Sequence, residues 1–491
     1  MKKKDWLSLV GCSIVASGLN VLGTATASYG LSLVNALAIP GESTDLSPLN
    51  GDGGANVNRL GFFSDLHYDR HNNVYYALGD QGPGDGFLNY KTRVQKFSLD
   101  VDQNTGAINS FKVLETILFT KNGEHFNGLN PKLLNGDAGI LGLSFDPEGF
   151  AVAPNGNFYV AEEFGPSVYE FTPTGSFVRK FAMPKTIIPN VNSNPNYVAG
   201  RPILTGGRQE GRGFEGLTLS PDGRKLFAML QDPLINEGAP DERRSRNLRI
   251  VEFDTATGQS SAQYFYQLEN LAEINDRIPG TANDIEPNAQ GRNIGINAIA
   301  AIDARAFLVL ERDSRGVGET DALGKAPVGS KRVYKIDLTN ATNVSDISLV
   351  GTNALPDGVT PVTKSLFFDV AELLTQAGLI VPAKPEGLTI GPKLKDGSYA
   401  ILVGTDNDFS VTQTGGIQSD VCTNGMSASN VPVDNGCPTG HSLIPGYLYS
   451  FKASGTELAG FVPLKTVPEP GTTSALVLLG LGGFWLRRRK Q

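Results

Sequence analysis

The chain has 491 residues and a formal charge of −8 at pH 7, with 42 lysine and arginine residues against 50 aspartate and glutamate residues. A chain this acidic offers no basic surface for a polyanion, which excludes nucleic-acid binding as its function. Glycine and proline are abundant, at 58 and 29 residues, and 40% of the residues are hydrophobic. This composition predicts a turn-rich globular protein with a real core.

The first residues have the pattern of a signal peptide. Lys2, Lys3 and Lys4 precede an apolar stretch over residues 6–23, and Ala25-Thr26-Ala27 offers small residues for cleavage. We therefore predict a signal peptide over residues 1–27 and export of the rest of the chain.

A two-strand unit recurs along the chain. Residues 145–163, 214–231 and 385–403 each hold two strand-like runs around a turn that contains Asn-Gly or Asp-Gly, and weaker copies lie at 63–81 and 296–313. Asn-Gly between such runs is typical of a tight hairpin. Further strand-like runs at 93–99, 167–172, 249–254 and 332–336 are interpreted as the outer strands of the same sheets.

Four strands per unit predict the blade of a β-propeller. The units begin near residues 64, 148, 215, 297 and 386, a spacing wider than the ~40–45 residues of compact propeller repeats, so the blades carry insertions. Runs at 446–451 and 460–464, closed by an N-terminal segment over 28–59, supply a further blade. We predict an all-β fold, a six-bladed β-propeller over residues 60–466 with four-stranded antiparallel blades and loop insertions. The rival architecture is a set of β-sandwiches, which would scatter the acidic residues instead of gathering them.

Three units place a glutamate before a glycine at the start of the first strand. These are Glu148, Glu215 and Glu386, whereas Asn297 and Ser64 occupy the same position in the other two units. The innermost strands of a propeller run beside its channel, so we expect these side chains to converge on one mouth. A single Glu-Gly is ordinary turn chemistry. Three equivalent copies indicate that the carboxylates act together, with the glycine freeing the backbone to approach a ligand.

Carboxylates gathered in one channel repel one another unless a cation lies among them. An all-oxygen ligand set favours Ca²⁺, and less strongly Mg²⁺. The predicted metal ligands are Glu148, Glu162, Glu215, Glu386, Asp313, Asp406 and Asp408. The predicted catalytic residues are Glu163, Glu215, Glu311 and Arg312, and the predicted substrate contacts are Arg212, Lys384, Asp80 and Gln231. Guanidinium groups bind phosphate or carboxylate bidentately, and the alternative for these arginines is an ion pair that joins two blades.

Several of these segments resemble the phytase-like esterase family, known by the label "esterase-like activity of phytase" and similar to the β-propeller phytases. The resemblance runs in order from about residue 60 to about 452, through the segments 146–149, 162–166, 212–217, 310–313, 384–388 and 406–408. It implies calcium ions that bridge carboxylates to a substrate phosphate, a metal-activated water as nucleophile, and lysine or arginine that stabilises the developing charge.

Other reaction schemes have less support in the sequence. Residues 440–444 read Gly-His-Ser-Leu-Ile and lack the closing glycine of a nucleophile elbow, which argues against an α/β-hydrolase. The four histidines, His67, His71, His125 and His441, show no zinc-ligand spacing. This small number of histidines also argues against a lactonase or a quinoprotein sugar dehydrogenase, which share calcium-binding six-bladed propellers.

Two cysteines, Cys422 and Cys437, remain once Cys12 is assigned to the leader. Disulfides persist in exported proteins, so we predict that the two form one, worth about 3 kcal/mol through restriction of the unfolded chain.

The C-terminus closely resembles a PEP-CTERM sorting signal. Pro468-Glu469-Pro470 is followed by an apolar stretch over 472–486 and then by Arg487, Arg488, Arg489 and Lys490. The stretch is shorter than the ~20 residues that comfortably span a bilayer, yet the basic cluster would hold it there as a short transmembrane segment. The resemblance implies recognition by an exosortase-type enzyme, cleavage near Pro470 and transient membrane anchoring. We predict a sorting signal over 467–491 and a location in the cell envelope or outside the cell.

These observations predict an exported, calcium-dependent phosphoesterase or esterase-like hydrolase that acts on a small-molecule ester at the channel mouth. The alternative is a non-catalytic propeller of the cell envelope with structural calcium, which binds a carbohydrate or protein partner.

Overall fold

The computed structural model describes residues 31–48, 58–289 and 293–465. The predicted signal peptide and sorting signal, including the short transmembrane segment, lie outside the described residues. Within these ranges the chain is almost entirely β-structure, and none of the helices there is long and apolar enough to cross a membrane.

Five four-stranded antiparallel sheets contain the repeated unit and two further strands each. We number them as blades 1 to 5 and give their strands from the channel outward. Blade 1 consists of Leu66–Asp69, Val74–Leu78, Arg93–Val101 and Ile108–Leu118; blade 2 of Pro147–Val152, Phe158–Glu162, Ser167–Phe171 and Phe177–Lys180; blade 3 of Phe214–Leu219, Lys225–Leu230, Asn247–Asp254 and Ser260–Gln267; blade 4 of Ile294–Ala301, Ala306–Asp313, Lys331–Asp337 and Thr363–Asp369; and blade 5 of Pro385–Lys393, Tyr399–Thr405, Gly446–Ala453 and Ser32–Ile39.

The innermost strands contact one another in a closed cycle, each blade touching the next and blade 5 returning to blade 1. In the described part of the chain the ring therefore has five blades, and the prediction of six was wrong. Gly446–Ala453, expected in a sixth blade, is the third strand of blade 5, and residues 460–464 form no strand. An insertion over 406–445 separates this third strand from the first two and made it look like the start of a new unit.

The N-terminal strand Ser32–Ile39 is the outermost strand of blade 5. It pairs antiparallel with Gly446–Ala453, with Ala36 opposite Tyr449. The first and last strands of the described chain therefore pair in one sheet, which closes the ring.

The insertion after blade 5's second strand forms a small sheet of its own, which we call the rim sheet. It consists of Val411–Thr414, Ile417–Thr423, Ala428–Pro432 and Ser442–Leu443. The predicted disulfide between Cys422 and Cys437 is confirmed. Arg59 binds Asp420 at 2.8 Å, and the Phe409 ring lies 5.1 Å from that of Tyr90, so the rim sheet is held against the blade 1 side of the ring.

The glycines of the Glu-Gly pairs serve the packing of the inner strands. A Cβ atom at Gly149 would lie 2.9 Å from the backbone nitrogen of Leu217, and one at Gly216 would lie 3.0 Å from that of Ile299. Only glycine lets neighbouring inner strands approach this closely. This replaces our expectation that the glycine frees the backbone for a ligand.

Short elements connect the blades. The α-helices are Pro131–Asn135, Leu271–Asn275 and Val370–Gln376; the 3₁₀ turns are Lys185–Ile187, Glu242–Arg244, Thr281–Asn283, Pro287–Ala289 and Asp408–Ser410; and two ribbons pair Thr120–Lys121 with Glu124–His125 and Asn190–Val191 with Asn194–Pro195.

Candidate functional site

One end of the channel collects the polar residues that the repeats share. All five inner strands begin at this end and all five second strands return to it, because each pair is antiparallel. Glu148, Glu215 and Glu386 are the second residues of their inner strands, Asn297 is the fourth residue of its strand, and all four are buried. The amide of Asn297 donates to Glu215 and to Glu386, so the convergence expected from the sequence is present. We call this end the mouth.

Five carboxyl groups on one side of the mouth form what we call the acidic cluster: Asp80, Asp146, Glu148, Asp406 and Asp408. One oxygen each from Asp80, Asp146 and Glu148 lie within 4.8 Å of one another, and the same holds for Asp80, Asp406 and Asp408. Asp80 thus belongs to both groups. It follows the second strand of blade 1, and we had expected it to contact substrate.

Local backbone geometry fixes these carboxyl groups. The Gly82 N–H donates to Asp80 at 2.8 Å, and the Gln81 N–H donates to Asp146 at 2.8 Å. The Asp408 N–H donates to Asp406 at 2.8 Å. Asp408 itself has φ of 48°, and the next two residues also have positive φ. Three successive residues in this region are costly, and such strain persists where the surrounding structure imposes it.

Burial and mutual repulsion favour the neutral forms of Asp80 and Glu148. Burial raises the pKa of Asp80 to about 7, opposed by Lys384 and assisted by the charge of Asp408. Burial also raises the pKa of Glu148 well above its usual range, with the charges of Glu215 and Asp146 adding to the effect. Carboxylates that repel in this way are stabilised in their charged form by a cation among them.

Asp146 supplies the clearest test of whether a cation fits. Its side chain is fully buried, and within the described ranges Oδ2 has no hydrogen-bond donor except a proton shared with the neighbouring carboxyl groups of Glu163 and Glu148. Burial raises its pKa well above the usual range, and the charges of Glu163 and Asp80 raise it further. An unsatisfied buried oxygen beside two other carboxylates matches the donor set that Ca²⁺ or Mg²⁺ takes in proteins.

The opposite side of the mouth carries paired charges. Arg312 donates to Glu386, and Gln231 donates to Glu215. Arg212 donates to Gln231, and its Nε lies 3.4 Å from Asp232. Burial nevertheless raises the pKa of Glu215 well above its usual range, with the charges of Glu163 and Glu386 adding to the effect and those of Arg312 and Arg212 opposing it.

Two cations at the mouth keep part of their side chains in solvent. Arg212 is 26% exposed, and Lys384, paired with Asp408, is 31% exposed, whereas Arg312 is only 8% exposed. Arg212 and Lys384 are thus the cations that an incoming anion would meet first.

Three predicted residues are held in other contacts and are not in the acidic cluster. Glu311 accepts from the Tyr266 hydroxyl at 2.8 Å and pairs with Lys364. Asp313 pairs with Lys331 at 2.9 Å. Glu162 accepts from the Gly165 N–H at 2.8 Å. Successive strand residues point to opposite faces, which separates Glu311 from its neighbour Arg312.

Two acidic residues at the mouth escaped the sequence analysis. Asp146 stands two residues before Glu148, in the segment 146–149 that carries the family resemblance. Blade 5 has Lys384 at the equivalent position, two residues before Glu386, and a comparison of these two positions would have revealed Asp146. Glu319 comes from a loop of blade 4. Burial raises its pKa to about 7, and the charge of Asp408 contributes. No repeat or motif marks Glu319.

A family model described as "Esterase-like activity of phytase" matches residues 58–409. The chain belongs to this phytase-like family. A second model, the PEP-CTERM protein-sorting motif, matches residues 466–490. The protein is therefore exported and anchored at the cell envelope.

Among the relatives of this phytase-like protein is a secreted protein of Arthroderma benhamiae described as uncharacterized. It is 27% identical over 348 residues, which cover 60% of this chain and 66% of the relative. The chain thus spans just under two thirds of this curated relative's length. Among solved structures, the Dos1 propeller is 10% identical with a TM-score of 0.28, covering 84% of this chain and 82% of that chain. Virginiamycin B lyase from Staphylococcus aureus is 10% identical with a TM-score of 0.29, covering 81% of this chain and 97% of that chain. Likenesses this weak say nothing about chemistry.

Proposed function

We propose that this phytase-like protein is a hydrolase of small-molecule esters, phosphoesters in particular, whose acidic cluster binds calcium at the channel mouth. The observation that carries the proposal is the group formed by Asp80, Asp146 and Glu148, which are buried and mutually repelling and include Asp146 Oδ2, an oxygen to which the described residues offer no hydrogen-bond donor other than a neighbouring carboxyl group. In the family setting, these residues are the expected ligands of a hard divalent cation.

Asp80, Asp146 and Glu148 would hold one cation. Asp406 and Asp408, which group with the same Asp80, are the candidate ligands of a second. A divalent cation bound there would polarise an ester oxygen and lower the pKa of a bound water. The side chains of the protein would bind the substrate and accept the proton.

Arg212 and Lys384 fit the task of binding the anionic part of a substrate. Both are partly exposed. Arg212 comes just before the inner strand of blade 3, and Lys384, which pairs with Asp408 of the acidic cluster, comes just before that of blade 5. A phosphate drawn between them would be oriented by charge-assisted hydrogen bonds. The same two groups would stabilise negative charge that grows on the ester as it opens.

Glu163 fits the role of proton acceptor. It is buried beside Asp146, and burial raises its pKa, opposed by Arg212 and Arg208. A carboxyl group with a raised pKa exchanges protons nearer neutral pH than an ordinary glutamate does. The predicted catalytic residues Glu215 and Arg312 serve here as supports, because each is bound to partners on the paired side of the mouth.

The test uses the exported protein with a phosphomonoester and a carboxylester, with calcium, magnesium or a chelator. We expect turnover of the phosphomonoester that chelation abolishes and calcium restores. Asp146→Asn should lower turnover at least tenfold and weaken calcium binding measured by calorimetry. Glu162→Gln is the matched control, since it removes a buried carboxyl group that lies outside the cluster.

Calcium binding without turnover of either ester would reject the hydrolase and support the alternative, a non-catalytic envelope propeller with structural calcium. A protein that binds no divalent cation would reject both.

A further inference from the structure

Residues 461–465, which come just before the sorting signal and which we call the strap, lie across the end of the channel opposite the mouth. We call this end the far face. The Val462 N–H donates to the carbonyl of Ile302 at 2.8 Å, and the Lys465 N–H donates to the carbonyl of Pro221 at 2.7 Å. Ile302 directly follows the inner strand of blade 4, and Pro221 lies two residues after the end of the inner strand of blade 3. The chain therefore leaves the propeller near the channel axis.

Side chains of the same segment bind the other blades. The Phe461 ring packs edge-on against Tyr399 of blade 5, with centroids 5.3 Å apart, and the Arg70 guanidinium of blade 1 lies 5.0 Å from its centre. Phe461 to Leu464 border a cavity of about 570 Å³ lined by the ends of the inner strands. This strap is thus held by contacts with four of the five blades.

The sorting signal begins at once after the strap. Its matched residues are 466–490, and the apolar stretch starts at residue 472. Residues 466–471 can reach roughly 20–25 Å when fully extended. The far face must therefore lie within that distance of any membrane that holds the apolar stretch.

In the opposite orientation the mouth would face the bilayer, and the chain would have to run from Lys465 around the outside of the propeller to reach it. It would first cross four strands outward, about 4.8 Å apart, and then follow the outermost strand to the mouth, a path of roughly 40 Å. This exceeds the reach of residues 466–471. We infer that, in the anchored protein, the far face is the surface next to the lipid bilayer and the mouth with its acidic cluster points away from it.

This orientation does not rest on the proposed function, because it follows from the strap and the sorting signal alone. It makes the mouth accessible to solutes outside the membrane and places the blade turns of the far face, such as those at Asn72 and Asn155, beside the lipid headgroups. The partner of the far face is thus a bilayer surface.

The test measures the distance from each face to the membrane. The sequence has two tryptophans, Trp6 in the predicted signal peptide and Trp485 in the sorting signal. The exported chain with its sorting signal uncleaved and with Trp485→Phe therefore has no tryptophan, and a single one can be introduced as a reporter. Asn155→Trp reports on the far face and Met426→Trp reports on the rim sheet at the mouth; both native side chains are exposed. The protein is placed in phosphatidylethanolamine–phosphatidylglycerol vesicles that contain a dansyl-labelled lipid, and energy transfer from tryptophan is recorded.

We expect at least about twofold more energy transfer from Asn155→Trp than from Met426→Trp, because the length of the inner strands separates the two faces and so their distances to the membrane. Equal transfer, or more from Met426→Trp, would overturn the inference. Inserting about 20 Gly and Ser residues after Lys465 should remove the difference, because a flexible linker of that length reaches around the propeller. A difference that survives the insertion would show that the tether does not set the orientation.

Discussion

The side-chain amide of Asn297 donates a hydrogen bond to a carboxylate oxygen of Glu215 at 2.7 Å and another to Glu386 at 3.1 Å. Blade 4 has this asparagine where three other blades have glutamate. The substitution in the repeat is thus what lets two neighbouring carboxylates share the paired side of the mouth.

Replacing this amide by a carboxylate should therefore be costly. We expect Asn297→Asp to lower the free energy of unfolding by about 1–3 kcal/mol more than Asn297→Ala, because it adds like charge where Asn297→Ala only removes donors. Chemical denaturation at pH 7 measures the difference. Equal stability of the two variants would show that repulsion between these carboxyl groups is unimportant.

Arg312 and Glu386 form a buried ion pair. Replacing one partner alone should lower the free energy of unfolding more than replacing both partners does. Arg312→Met leaves the Glu386 carboxylate without its cation in a buried site, and we expect a loss of about 3–5 kcal/mol of unfolding free energy. The double variant Arg312→Met/Glu386→Gln should recover much of this loss. Lys452→Met is the control, because Lys452 and its partner Asp396 are 29% and 52% exposed, far more than Arg312 and Glu386, and solvent-exposed pairs are worth about 1 kcal/mol or less. A double variant as unstable as Arg312→Met would contradict the argument.

The strands and the mouth were predictable because their signals are local and repeated. Asn155-Gly156 and Asp222-Gly223 mark hairpins wherever they occur, with Gly156 and Gly223 both in the left-handed region, and equivalent strand ends must meet in any radial arrangement. The blade number depends instead on which distant strands pair. Nothing local to Gly446–Ala453 shows that it joins the sheet of Pro385–Lys393 across the insertion.

The composition of the site was only partly predictable for a related reason. Glu311 and Arg312 are neighbours in sequence, yet only Arg312 reaches Glu386, since strand residues alternate between faces. Glu319 reaches the mouth through a loop whose path depends on tertiary contacts. The sequence therefore indicated the end of the channel that matters but not every side chain that points into it.

The disulfide should stabilise the rim sheet locally. Cys422 and Cys437 are 15 residues apart, and closing a loop of that size is worth about 3 kcal/mol. The rim sheet has only a small apolar cluster, which includes Phe409 and Val411, so Cys422→Ser/Cys437→Ser should speed amide hydrogen exchange over residues 411–443 and leave the blades protected. Exchange followed by mass spectrometry checks this, with the unaltered protein before and after reduction as the control. Loss of protection throughout the blades would show that the disulfide supports the whole ring.

His67, on the inner strand of blade 1 near the far face, should make stability depend on pH. Its ring packs edge-on against Phe150, with centroids 6.0 Å apart, and burial lowers its pKa from 6.5 to about 4. Between these values the unfolded chain binds a proton that the folded chain does not, so this residue's contribution to the free energy of unfolding falls as the pH drops from 6.5 to 4. We expect His67→Gln to remove about 1–3 kcal/mol of that pH dependence, measured as the difference from the unaltered protein in denaturation at several pH values. His71→Gln, which removes an exposed imidazole four residues away, is the matched control. If His67→Gln and the unaltered protein lose stability in parallel below pH 6.5, His67 is not the group responsible.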